Sequence, residues 1–413
     1  MPKKLKLRLF EGYGIELEYI IVHNDDLSIL PVADRVLHAV SGTYEPEVEL
    51  GDLNWSNELV LHVVELKTNG PASSLEDLPQ KFNRDIGKIN QILKPMGGRL
   101  MPTAMHPWMD PLKETKLWPH EYNPIYESYN RIFSCQGHGW SNLQSLHINL
   151  PFANDEEFGR LHAAIRLVLP IIPAIAASSP IVDGKVTGIM DNRLEAYRNN
   201  QNKIPSLVGK VIPEPLYTKK DYRKKLLQKL YQDIDPYDTE DILKQEWLNS
   251  RGAIARFDRN TIEIRVIDIQ ECPFADLAIT AAIVGLIRMF VSEHWISFNR
   301  QQDFPMEPLA DILLANIKDA ETAIITDQYY LEMFDFNSNS KCKAGELWQF
   351  IFEKYLSKSI DEVWLAPLQI ILQKGTLSRR ILAALGNDRS LENIRDVFLK
   401  LMDCLEKEEM FRT

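Results

Sequence analysis

Residues 261–266 read TIEIRV, and every second side chain is apolar. A period of two is the pleat of a β-strand with one dry face. The same period marks GIELEYII from Gly14 and LQSLHINLPF from Leu143, and a further strand is expected in ELVLHVVELKT from Glu58. The strongest strand signal is AIARFDRNTIEIRVIDIQ, from Ala253. Several half-apolar strands commit a chain to a sheet with one face packed and the other holding the polar side chains. Those polar faces can be written out: Glu16 and Glu18; Glu65 beside Val63, with Glu58 just upstream; Ser145, His147 and Asn149; Thr261, Glu263 and Arg265. One reading is a sheet wetted by solvent. Against it stands the choice of residues, which are carboxylates, a histidine and an arginine rather than a mixture of Lys, Thr and Ser. Glu16 and Glu18 on one strand face repel, and burying them adds a desolvation cost. A cation beside them relieves both.

The rest of the chain supplies helices. SLEDLPQKFNRDIGKINQILKPMGG from Ser74 has helical apolar spacing and a Gly97-Gly98 stop. TKKDYRKKLLQKLYQDI from Thr218 reads as a basic amphipathic helix with a solvated face. Beyond residue 300 helical segments follow around Leu309–Ile325, Leu347–Leu356, Leu365–Leu372 and Leu391–Leu405. The order is mixed, without strict βαβ alternation. The expected class is α+β, a curved and largely antiparallel sheet flanked by helices with a helical C-terminal region. With no linker or repeat, residues 1–413 are read as a single catalytic domain, about 10–290 sheet-rich and about 300–413 helical and packed on it. The apolar stretches from Leu161 and Leu277 are interrupted by Arg166, Pro170 and Pro173, and by Arg288, and read as buried helices rather than membrane spans. The start, MPKKLKLRLFEGYG, is basic without an apolar core and is not a secretory signal. Cys135, Cys272, Cys342 and Cys404 are scattered, as in a reducing, cytoplasmic compartment. A formal net charge of -11 argues against wrapping nucleic acid.

Carboxylates joined by one imidazole suit a hard divalent cation, Mg²⁺ or Mn²⁺. Magnesium commonly shares its sphere with substrate phosphates, and an arginine on the same sheet would then recognise an anion or stabilise developing phosphoryl charge. The chain has no GxxxxGK[ST], HExxH or GxSxG, and Gly12-Tyr13-Gly14 precedes its strand rather than following it.

In order along the chain stand GIELE, VVELKT, GGRLMPTAMHPW, a strand with His147, AASSPIVDGKVTGIMDNRLEAYR and NTIEIRVID. This series, from about residue 10 to 290, resembles the glutamate–cysteine ligase family, in its carboxylate–amine ligase and plant-type branch. The resemblance implies a sheet of glutamine synthetase type carrying two or three Mg²⁺ ions with ATP across its mouth. Glu16, Glu18, Glu58, Glu65, His147 and Glu263 match the family's metal positions. Arg265 and Arg193 match catalytic arginines. Arg256, Asn149 and His106 match substrate- or nucleotide-binding positions. The implied reaction phosphorylates a carboxylate, such as the γ-carboxylate of glutamate, and lets an amine such as cysteine displace phosphate, as in γ-glutamylcysteine and glutathione biosynthesis. The partners would be these small molecules, with no nucleic acid and no membrane; the sequence leaves homo-oligomer formation open. The third strand reads SLHINL where many relatives carry HVH and glycine. The segment after Arg193 reads NNQNKIPSLVG in place of a Gly-Leu-Pro run. These departures bear on the acceptor amine.

Two other classes stay open from the sequence: a phosphotransferase acting on a guanidino compound, and a non-catalytic nucleotide-binding relative. His138 in GHGW is an ordinary loop residue or part of a lid. Trp108, Trp118 and Trp140 suit packing better than base stacking. Cys135 has no task in the implied reaction. Asp268 is expected on the face of its strand opposite Glu263, in a structural hydrogen bond.

Overall fold

The computed structural model describes residues 6–336 and 341–412; of the basic opening stretch, Lys3 and Lys4 lie outside them. Ten strands organise the first two thirds: β1 (Gly14–His23), β2 (Glu47–Leu50), β3 (Leu53–Asn57), β4 (Val63–Thr68), β5 (Gly98–Met101), β6 (Ser145–Pro151), β7 (Ile181–Val182), β8 (Lys185–Val186), β9 (Ala253–Arg256) and β10 (Thr261–Asp268). Eight form one sheet in the order β2-β3-β4-β1-β6-β10-β9, with β5 beside the second half of β1. Every pairing in it is antiparallel, while β7 and β8 form a separate hairpin.

Alternation decides which side is dry. Ile15, Leu17, Tyr19, Leu66, Leu146, Ile148, Ile262 and Ile264 are fully buried on one face. They share a core with helices Leu78–Leu93, Asp155–Val168 and Pro273–Val291. The last is the one described helix long and apolar enough to cross a membrane, and most of it is buried inside the fold. The opposite face splits along β1. Glu16 and Glu18 face the cavity described below. Beyond them Ile20 and Val22 join Val63 and Met101 under helices Leu377–Leu385 and Leu391–Lys407. The C-terminal helices therefore close one end of the polar face with an apolar plug, and the glutamates sit where the wet surface meets it.

Three differences from the sequence reading have local causes. The long strand signal from Ala253 is a hairpin, because Asn260 turns the chain with φ 57°. The strand expected from Glu58 begins at Val63, so Glu58 lies in the β3–β4 connection. Asp268 stands on the same face as Glu263, not the opposite one. The β6–β10 register shifts between Ile264 and Ile267, which pairs Asp268 with Ser145, and a bulge of this kind reverses the alternation beyond it. In the basic helical stretch from Lys219, Tyr222, Leu226 and Leu227 face inward and Arg223, Lys224 and Lys225 face solvent, as the amphipathic pattern requires.

Candidate active site

The polar face of the sheet floors a cavity of about 570 Å³. Directly paired residues of antiparallel strands share a face, so the register assembles the site. Glu18 lies opposite Glu65, Glu16 opposite both Lys67 and His147, Ser56 opposite Glu65, and Asn149 opposite Glu263. Across the sheet the charge changes sign. Carboxylates occupy β2, β1 and β4 and the β3–β4 connection; Arg265 and Arg256 occupy β10 and β9.

Two carboxylate clusters stand on the acidic side. Glu16, Glu65 and His147 form one, and Glu18, Glu58 and Glu65 the other; in each, one ligand atom per residue lies within 4.8 Å of the others. Glu65 belongs to both. Hydrogen bonds fix the individual groups. His147 Nδ1 lies 2.9 Å from Glu16 Oε2, and Asn149 Nδ2 donates to Glu16 Oε1 at 2.9 Å. Ser145 donates to Glu18 Oε2 from its backbone nitrogen at 2.7 Å and its hydroxyl at 2.9 Å. Ser56 Oγ donates to Glu65 Oε2 at 2.6 Å. Gly14 faces Asn149 across the β1–β6 pair, and a Cβ there would sit 2.8 Å from Asn149 Cβ. Only a glycine leaves Asn149 free to hold Glu16.

The acids do not share the charge evenly. Burial acts to raise the pKa of Glu16, but the hydrogen bond and charge of His147, with Lys67 and Arg259, bring it down to about 2. Burial pushes Glu65 up to about 7; Lys67 opposes this, while Glu16 and Glu18 add to it. Glu58 is driven well above the usual carboxylate range by burial and then by Glu18 and Glu65. Burial acts to lower the His147 pKa, and Glu16 and Glu18 reverse it to a net rise. Burial and mutual repulsion thus raise Glu58 and Glu65, and a positive charge beside them would relieve both. Carboxylate oxygens with one imidazole nitrogen fit Mg²⁺ or Mn²⁺, and Glu16, Glu18, Glu58, Glu65 and His147 are the residues that would hold it.

Glu263 stands apart from both clusters. Its Oε1 accepts from Arg265 Nε at 2.7 Å and its Oε2 from Arg256 Nη1 at 3.3 Å. Burial works against its charge, and Arg265, His147 and Arg256 more than offset that, so its pKa falls below the ordinary value. In this arrangement it orients two arginines rather than completing a carboxylate triad. Arg265 sits in the β10 bulge, its backbone nitrogen bonded to Gly252 O at 2.8 Å, and the bulge aims its guanidinium into the cavity. Arg193, 2% exposed, donates from Nη2 to the Arg265 carbonyl at 2.7 Å and has Asp268 3.7 Å from Nη1. Asp268 is fixed in turn by Ser178 N–H and Ser179 Oγ. Arg193, Arg256, Arg259 and Arg265 all line the cavity.

His106 is not brought to the cavity. It is buried, its Nε2 donates to Leu27 O at 2.7 Å, and its Nδ1 accepts from Trp108 N–H at 3.2 Å. Both ring nitrogens are used in tying loops, and burial depresses the pKa to about 4. Asn149 stands behind Glu16 rather than on the wall. His138 pairs with Asp183 at 3.1 Å. Trp118 is buried, with Nε1 donating to Glu121 O. Trp140 alone of the three flagged tryptophans lines the cavity, beside Tyr129 and Trp247. Cys135 is buried, and burial pushes its thiol up to about 12. The sequence reading did not single out Glu47, Ser56, Lys67, Tyr126, Tyr129 or Trp247, all on the wall. For Lys67 the signal was present, since it continues the alternation of Val63 and Glu65.

The family model for glutamate-cysteine ligase family 2 matches residues 13–312. An uncharacterized protein of Archaeoglobus fulgidus is 31% identical over 398 residues, 96% of this chain and 99% of that protein. Among solved structures, the fold is similar to that of a glutamate–cysteine ligase from Francisella tularensis in complex with AMP. The TM-score is 0.59 at 13% identity, over 96% of this chain and 90% of that one. It is also similar to a bifunctional glutathione synthetase from Pasteurella multocida, with TM-score 0.57 at 14% identity, over 97% of this chain and 52% of that one. Strands, cavity and sequence match lie within the same stretch: the chain belongs to glutamate–cysteine ligase family 2, a family of ATP-dependent carboxylate–amine ligases.

Proposed function

We propose that this chain activates the γ-carboxylate of glutamate with ATP and joins it to the amine of cysteine or a similar amino acid. The carrying observation is the division of one cavity into an acidic side, where two carboxylate clusters share Glu65, and a basic side, where Arg193, Arg256 and Arg265 converge. A carboxylate oxygen would attack the γ-phosphorus and ADP would leave. The amine nitrogen would then attack the acyl carbon, lose a proton, and expel phosphate. Divalent cations, when bound, supply charge neutralisation for the phosphates. The chain's own part is to hold anions in line. Glu263 fixes the guanidinium planes of Arg265 and Arg256, and Arg193, anchored by the Arg265 carbonyl and ion-paired through Nη1 with Asp268, adds a buried guanidinium whose Nε has no hydrogen-bond partner among the described residues. Such preorganised donors suit a carboxylate or a transferring phosphoryl group. No protein nucleophile is required. Cys135, Cys272, Cys342 and Cys404 are free, which suits a reducing compartment.

The test is ADP release with ATP, Mg²⁺ and glutamate against a panel of amines, with mass spectrometry of the product. ADP is expected only when carboxylate and amine are both present, with an amide as product. ATP turnover indifferent to any carboxylic acid would overturn the reading. Within the same assay Arg265→Lys keeps the charge and loses the planar fork that grips Glu263. A fall in kcat/KM of about a hundredfold is expected, and an unchanged value would remove Arg265 from the reacting groups.

A further inference from the structure

Lys67 is a cation set among the acids themselves. The alternation of β4 places it on the cavity face two residues after Glu65, opposite Glu16 on β1 and Asn54 on β3. Its Nζ lies 2.8 Å from Glu47 Oε2 and 3.3 Å from Glu65 Oε2, and only a fifth of the side chain is exposed. Glu47 has its own support, since Asn54 Nδ2 donates to its Oε1 at 2.7 Å. Lys67 therefore keeps an anchored partner on β2 even when it releases Glu65. Glu65 is the one residue common to both carboxylate clusters, and its Oε2 already receives Ser56 as well as Lys67.

We propose that Lys67 is a resident counter-ion that competes with divalent metal for Glu65. Without metal its ammonium screens Glu16, Glu47 and Glu65 and holds the cluster together. When metal takes Glu65, Lys67 stays on Glu47. It is a positioning residue that sets the metal affinity of the site through Glu65. The inference rests on the cation reading of this cavity.

Two quantities move in opposite directions if this is right. Lys67→Met leaves the carboxylates unscreened, so the metal-free protein melts at a lower temperature. The same change removes a positive charge from the metal's surroundings, so Mn²⁺ binds tighter by about tenfold or more. Binding of Mn²⁺ alone is read from the electron paramagnetic resonance of the free ion, and stability from thermal denaturation without metal. Lys67→Arg, which keeps the charge, is expected to bind Mn²⁺ much as the wild type does. Should Lys67→Met fail to fold without metal, the substitution is repeated in a Glu47→Gln background, which carries one negative charge fewer. There too Mn²⁺ affinity should rise relative to Glu47→Gln alone. Affinity that is unchanged or weaker in the methionine variants overturns the role of Lys67. A wild type that binds no Mn²⁺ overturns the cation reading itself.

Discussion

A Glu65→Gln variant is expected to lose about a hundred- to a thousandfold in kcat while remaining at least as stable as the wild type without Mg²⁺. Glu65 is the ligand common to both carboxylate clusters, so its loss weakens both at once. A Glu16→Gln change touches only the cluster with His147. Glutamine keeps the shape and can still accept from Ser56. It also removes a buried carboxylate whose pKa burial has pushed up to about 7, and with it the repulsion from Glu16 and Glu18. Removing charge from a crowded acidic cluster relieves the fold even as it disables the site. The paired measurement is thermal stability against Mg²⁺ concentration. In the wild type, Mg²⁺ at a hundred times its Kd contributes about 3 kcal/mol by mass action. Glu65→Gln should show little of that gain, and Glu16→Gln an intermediate part. Equal Mg²⁺ stabilisation in wild type and Glu65→Gln would mean that this sheet face does not bind the cation through Glu65.

The polar floor of this site was legible because β1, β4, β6 and β10 each bury one face completely. Ile15 and Leu17, Leu146 and Ile148, Ile262 and Ile264 are dry, which leaves Glu16, Glu18, His147 and Glu263 no other side to occupy. What was not legible follows from where alternation stops being informative. In β3, Asn54 and Ser56 are buried along with Leu53 and Trp55, since one face meets the core and the other the acidic cluster, so the strand was not recognised. β2 is only four residues long, at the sheet edge, which hid Glu47. The β10 bulge inserts one residue, and no local pattern announces the side chain it re-aims; hence Asp268 was placed on the wrong face. Glu263 was matched to a metal position through the family resemblance, and strand periodicity gives a face but not a neighbour. Only the register with β9 brings Arg256 to it. His106 lay in a motif-like stretch, and nothing in AMHPW says that both its ring nitrogens would be used by backbone groups.

His162→Leu is expected to stabilise the protein by about 1 kcal/mol or more at pH 7, and by about 2 kcal/mol further at pH 5. The ring is completely buried in helix Asp155–Val168, and neither nitrogen has a hydrogen-bond partner among the described residues. Each such nitrogen forfeits its hydration without recompense, and leucine of similar volume removes both. The pH dependence comes from the same burial, with the nearby charge of Arg166, which lowers the His162 pKa from 6.5 to about 3. Between those values the unfolded chain binds a proton that the folded one refuses. The wild type therefore has the full contribution above pH 6.5 and loses it as the pH falls, about 1.4 kcal/mol per pH unit. Leucine has nothing to titrate, so the gap between variant and wild type widens on acidification, whatever the other buried groups contribute to both. Urea midpoints of the two proteins at pH 7 and pH 5 measure it directly. His62 and His106 are the controls. Their pKa values are also lowered to about 4 by burial, but Nε2 of each bonds a backbone carbonyl, Ser141 O and Leu27 O, at 2.7 Å. Leucine in either place orphans that carbonyl and should lower stability at pH 7, so the sign of the change separates a histidine that ties the fold from one that only fills it. A His162→Leu protein less stable than the wild type at both pH values would show that the ring is held by a bond of its own.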